Sequence, residues 1–69
     1  MKKIILKDKT EVTIREPKVR DIVALDDVIG ESAKEVNLIA NLAQLDVEYV
    51  MNLSLIDYKK LQVPIQSFL

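Results

Sequence analysis

The hydrophobic period of this chain changes at a single proline. From Ile4 to Ile14 apolar side chains alternate as on a strand, and from Val19 they recur as on a helix. The switch falls across Arg15-Glu16-Pro17, with no glycine in it. Proline disfavours the helical region for the residue before it, which holds Glu16 extended, and proline itself is tolerated at a helix start. Pro17 therefore ends the strand and turns the chain into a helix. The outcome is an α+β fold in one small domain, residues 1–69, with a β-hairpin over 3–15 and three to four packed helices over 18–69.

In the hairpin, Asp8-Lys9-Thr10 supplies the turn. Pairing Leu6 with Val12 and Ile4 with Ile14 gathers all four on one face and sets Lys7 opposite Glu11. A three-residue loop of this kind favours glycine at its left-handed position, and none is present. A lone hairpin is marginal in water, so this one must rest on a helix or pair its edge with another chain.

After Pro17 the apolar positions Val19, Ile22, Val23, Leu25 and Ile29 form a helical stripe that would anchor a first helix to the hairpin. Asp21 suits the positive end of that helix, and Gly30 marks its stop. Asp26 interrupts the stripe, which reads as a solvated helix end, the alternative being a specific contact made from within the apolar face. A second helix is expected over residues 33–45, opened by Ser32 and Glu35 at capping-box spacing. Its apolar residues fall in two lines, Val36-Ile39-Ala40-Ala43 and Leu38-Leu42-Leu45, leaving only the polar wedge Asn37, Asn41 and Gln44. A helix so apolar is buried on two sides or faces a partner, and a chain of this size points to the partner. Asp46 opens a short helix, residues 47–52. Ser54 and Asp57 open a last one with the stripe Tyr58, Leu61, Ile65, Phe68 and Leu69, in which Pro64 should kink or end the helix near Gln62.

Composition narrows the function. A domain of 69 residues buries only about 60% of its unfolded surface. With no cysteine and no histidine it has neither disulfides nor an ordinary zinc site. Stability rests on the 49% apolar residues, more than one small core readily covers. The ten basic and eleven acidic residues are well mixed, which argues against nucleic acid. Lys2-Lys3 precedes only three apolar residues, too few for a secretory signal, and no run approaches the roughly 20 apolar residues of a membrane span. The expected setting is soluble and intracellular. Catalysis is poorly served, because no residue titrates near neutrality and Gly30 alone cannot make a phosphate loop. No metal or cofactor is expected. What remains is binding: homo-association, or capture of an apolar helix in a groove. The candidate partner-binding residues are Leu38, Leu42, Leu45, Tyr58, Leu61, Ile65, Phe68 and Leu69.

Three stretches in order, VTIREPKVRDIVALDDV, VNLIANLAQL and LSLIDYKKLQVPIQSFL, resemble the tail assembly chaperones of Mu-like, contractile-tailed bacteriophages. Among the positions that carry the resemblance are Arg15, Glu16, Pro17, Asp21, Asp57 and Tyr58. Lys18 departs from it, standing where the family often has a capping threonine, and Pro64 is also atypical. The resemblance implies a non-enzymatic protein of the host cytoplasm. It would bind the helical tape-measure protein, in several copies, keep it soluble while the tail tube is built, and leave before the tail is complete. The alternative is a small structural homo-oligomer retained in a complex.

Overall fold

A computed structural model describes residues 1–68, with side chains considered through Gln66. Two strands, β1 (Lys2–Ile5) and β2 (Glu11–Ile14), precede four helices: α1 (Val19–Val23), α2 (Glu31–Ala43), α3 (Val47–Met51) and α4 (Leu55–Phe68). The fold is α+β, as the period switch requires.

The strands are antiparallel, but their register differs from the expected one by two residues. Ile4 faces Val12, Lys2 faces Ile14 and Ile5 faces Glu11. The turn moves one residue earlier, to Lys7-Asp8-Lys9. The Lys9 amide donates to the Leu6 carbonyl at 2.9 Å, and the Leu6 amide to the Thr10 carbonyl at 2.9 Å. Lys9 takes the left-handed position that glycine would favour, at φ 72°. The Asp8 carboxylate holds the turn by accepting the Thr10 amide at 3.0 Å. An even shift leaves every side chain on its own face, so Leu6, Val12 and Ile14 are buried together as expected. Glu11 pairs with Lys3 at 3.4 Å rather than with Lys7.

The helical part rests on α2. It packs against β2, α1, α3 and α4, and buries Leu38, Ile39, Ala40 and Leu42. The reading of this helix as an interface helix is thereby replaced: the rest of the chain covers it from several sides. It starts earlier than expected. Gly30, at φ 99°, holds the N-cap position, and its carbonyl accepts the Lys34 amide at 3.0 Å. Ser32 is the second helical residue rather than the cap. At the other end Gln44 adopts a left-handed conformation, φ 56°. The Leu45 amide reaches back to the Ala40 carbonyl at 2.9 Å, a six-to-one closure that ends the helix without glycine.

The largest departure is at α1. Val19, Ile22 and Val23 do not anchor it. They are 80%, 44% and 59% exposed, and Ile29 is 93% exposed. The inward positions are instead Asp21, buried, and the half-buried Leu25 and Val28 in the turn and loop that follow the helix. A carboxylate, not the apolar stripe, decides which way this helix faces.

The last helix keeps its expected start and changes its end. The Ser54 hydroxyl accepts the Asp57 amide at 3.2 Å, so Ser54 is a cap. The helix does not stop near Gln62. It runs through Pro64 to Phe68, with Leu61, Pro64 and Ile65 buried along one side. Phe68's side chain and Leu69 lie outside what is described.

The core therefore comprises Leu6, Val12 and Ile14 from the hairpin, four residues of α2, Val50 from α3, and Leu61 and Ile65 from α4. Leu42→Ala should cost about 3 kcal/mol through lost burial and a residual cavity, whereas Val19→Ala should stay within about 0.5 kcal/mol. Urea denaturation of both variants checks this. Similar losses for the two would mean that α1 packs through its apolar stripe after all.

Candidate partner-binding surface

The groups that orient the surface come first. Arg15, leaving β2, makes two bonds of 2.8 Å to the two carboxylate oxygens of Asp21. The same carboxylate accepts the Lys18 amide at 2.7 Å and the Asn41 side-chain amide at 3.0 Å. One buried anion thus ties the hairpin exit, the start of α1 and the last turn of α2 together. Lysine at position 18 has no side-chain acceptor for the reciprocal capping bond. The Asp21 amide bonds to the Lys18 carbonyl instead, at 2.9 Å. The bidentate bond from Arg15, then the Lys18 amide, hold the Asp21 carboxyl far below the usual carboxylate range against the opposing effect of desolvation.

A second set fixes α4. The Asp57 carboxylate is nearly buried and accepts the Lys7 backbone amide from the hairpin at 3.0 Å. On the opposite flank the Tyr58 hydroxyl and the Gln62 side-chain amide both donate to one oxygen of Glu35 on α2, at 2.6 and 2.7 Å. Burial raises the Tyr58 hydroxyl above its ordinary range, and the bond to Glu35 raises it further.

Placed on this frame, the expected partner-binding residues separate. Leu38, Leu42, Leu61 and Ile65 are at most 4% exposed and belong to the core. Leu45 and Tyr58 are half-buried against it. Phe68 and Leu69 fall outside the described side chains. Of the residues that carry the family pattern, Arg15, Asp21, Asp57 and Tyr58 make the bonds just given. Pro17 is half-buried, and Glu16 is exposed.

The apolar surface left to a partner lies elsewhere. Between α2, α3 and α4 is a cleft of about 210 Å³ lined by Val36, Val50, Met51, Leu53, Leu55 and Tyr58. Met51 and Leu55, at 62% and 67% exposed, stand at its edge. Five of the six lining residues are aliphatic or Met, and the sixth presents a ring whose hydroxyl is already bonded to Glu35. The cleft can take apolar side chains and offers little to a charged one. The sequence reading found Tyr58 and missed the rest. Leu55 carried a signal, as a large apolar residue off the helical stripe directly after a capping serine. Met51 stands before the break at Asn52, with no periodic neighbour to draw attention to it.

Among the described residues no group of three or more acidic, His or Cys side chains could hold a metal ion. No described helix is long and apolar enough to cross a membrane. The geometry is that of a small scaffold that presents apolar surface. Residues 6–69 match the family of phage tail assembly chaperone proteins, E, or 41 or 14, and the chain belongs to that family. Membership points to a non-enzymatic role in tail assembly. No curated protein and no solved structure matches the chain.

The Asp21 hub predicts a pH dependence. Its folded-state titration lies below its unfolded one, so its contribution is fully present above about pH 4 and is lost as pH falls through the folded value. Asp21→Asn should lower the urea midpoint at pH 7, and should flatten the fall in stability as pH drops below about 4. Parallel wild-type and variant curves would remove Asp21 from the acid response.

Proposed function

We propose that this protein binds the tape-measure protein of a phage tail through the cleft between α2, α3 and α4. It would hold the apolar face of that long helical client away from water while the tail tube assembles. The observation that carries the reading is the cleft itself: Met51 and Leu55 are left in solvent by a chain that belongs to an assembly-chaperone family. A single side chain lodged in such a cleft contributes a modest affinity. That suits a client coated by several copies and later released. In this reading the protein works in the host cytoplasm, without a cofactor, and is absent from the finished virion.

The second reading, a structural homo-oligomer retained in the particle, draws on the same exposed aliphatic residues. The two differ in where the protein ends up. Mass spectrometry of purified mature tails should find none of it if it is a chaperone, and a stoichiometric amount if it is structural.

The test of the surface is co-expression with tape-measure fragments. Met51→Asp and Leu55→Asp should each weaken capture by about tenfold or more. Both should keep the circular dichroism and melting temperature of the parent, because both positions are exposed. Normal capture by folded variants would place the client elsewhere. Leu42→Asp and Leu61→Asp are unsuitable probes, since a carboxylate at either core position unfolds the chain.

A further inference from the structure

We infer that the polar wedge of α2 is a binding site for an extended, uncharged segment of a partner polypeptide, recognised through its main-chain amides. The wedge has no part in the client cleft, and the two sites share no lining residue.

A cavity of about 370 Å³ opens between α1, α2 and the start of α3, with Ala24, Leu25, Val28 and Leu45 among its walls. Its polar groups come from Asn37, Asn41 and Asp21. Gln44, the third polar residue of the wedge, does not line it. Asp21 is its one charged side chain, and the bidentate bond from Arg15 neutralises that charge. The cavity therefore favours neither sign of charge. What it offers is two side-chain amides between aliphatic walls.

Each amide is held at one end. Asn37 donates to the Ala33 carbonyl, one turn back, at 2.8 Å, and Asn41 donates to the Asp21 carboxylate at 3.0 Å. Only the nitrogen of an amide can face those oxygens, so the orientation of both groups follows. Among the described residues neither Oδ1 receives a hydrogen bond, and each nitrogen keeps a second N–H. Those are an acceptor and a donor, which the N–H and C=O of a peptide main chain complement.

Spacing selects the form of that main chain. Asn37 and Asn41 are one turn apart, about 6 Å along α2. In an extended chain, alternate residues present N–H and C=O to the same side, about 6.6 Å apart. Two such residues match the two asparagines in step. A helical ligand does not, because its main-chain groups are bonded within the helix. Side chains flanking the matched residues would meet Leu25, Val28 and Leu45, which favour small aliphatic groups. A few hydrogen bonds at a site open to water give a weak contact that tolerates differences of sequence.

Nuclear magnetic resonance tests this, because the asparagine side-chain amides report directly. The probe is a capped peptide of alternating valine and serine, added to the isotope-labelled full chain. At about millimolar peptide the side-chain amide resonances of Asn37 and Asn41 should shift, together with the backbone resonance of Val28. The matching depsipeptide, with esters in place of amides, has no N–H to donate and should bind about tenfold more weakly. Asn37→Leu keeps the size of the side chain and breaks no bond outside its own helix. It should also weaken the peptide by about tenfold, whereas a merely apolar cavity would bind it more tightly. If Asn37→Leu alters the fold, Asn37→Ala replaces it. Resonances that stay in place at every peptide concentration would overturn the proposal. So would equal binding of the depsipeptide, or unchanged or tighter binding by the folded variant. Shifts confined to Met51 and Leu55 would put the peptide in the client cleft and overturn it as well.

Discussion

The bond between Arg15 and Asp21 is the contact on which the arrangement of this small protein turns. A hairpin of two four-residue strands and a helix of five residues have little independent stability. Each must be fixed to something larger, and the larger element is α2. The Asp21 carboxylate makes that connection, accepting from Arg15, Lys18 and Asn41 at once. A buried carboxylate is costly unless its oxygens are satisfied, and here both oxygens have donors. The Arg15 amide adds a backbone bond to the Leu42 carbonyl at 3.2 Å. The hairpin exit is thus bonded to α2 through both backbone and side chain.

That constraint determines where the surplus apolar surface goes. With Asp21 turned inward, Ile22 and Val23 must turn outward, because successive helical residues are about 100° apart. The same geometry on α4, where Leu61 and Ile65 point inward, leaves Ile56 and Val63 outside. A composition of 49% apolar residues is therefore divided between a core, ten residues among those described, and a surface still rich in aliphatic side chains. Such a surface is a liability in a monomer unless something covers it. In a protein whose family assists assembly, that same exposure is what makes contact with other chains available.

Much of the fold was legible in the sequence because it depended on short-range rules. Pro17 fixed the strand-to-helix junction, alternation assigned the hairpin faces, and Ser54 announced the cap of α4. The misreadings arose where a polar group or an unusual backbone overrode periodicity. The α1 stripe was well formed, but a bidentate ion pair outweighed the burial of three aliphatic residues and rotated the helix. Ser32 matched a capping box, but Gly30 reached the N-cap position first. Lys9 and Gln44 accepted left-handed conformations that favour glycine, which set the hairpin turn and the end of α2. Four of the expected binding residues lie in the core for a related reason. Periodicity finds the face a helix buries, and it cannot say whether a neighbouring helix or another molecule does the burying. Leu38, Leu42, Leu61 and Ile65 were the most periodic positions and so became the core. Met51 and Leu55 lie off the stripes, where pattern reasoning does not look.

This separation bears on what the family resemblance measures. Arg15 and Asp21 bond to each other, Asp57 to the hairpin backbone, and Tyr58 and Gln62 to Glu35. These are contacts within one chain, and they set the angles at which α1 and α4 meet α2. The recognisable pattern therefore encodes a frame. The aliphatic residues facing solvent lie between the pattern positions, and no bond of the frame depends on their identity. Ile22, Met51, Leu55, Ile56 and Val63 can change in size or charge at little cost to folding, whereas Asp21 or Leu61 cannot. A frame of this kind tolerates substitution on its exposed faces. Arg15, Asp21, Asp57 and Tyr58 thus hold the architecture together through bonds to which these solvent-facing aliphatic side chains contribute nothing.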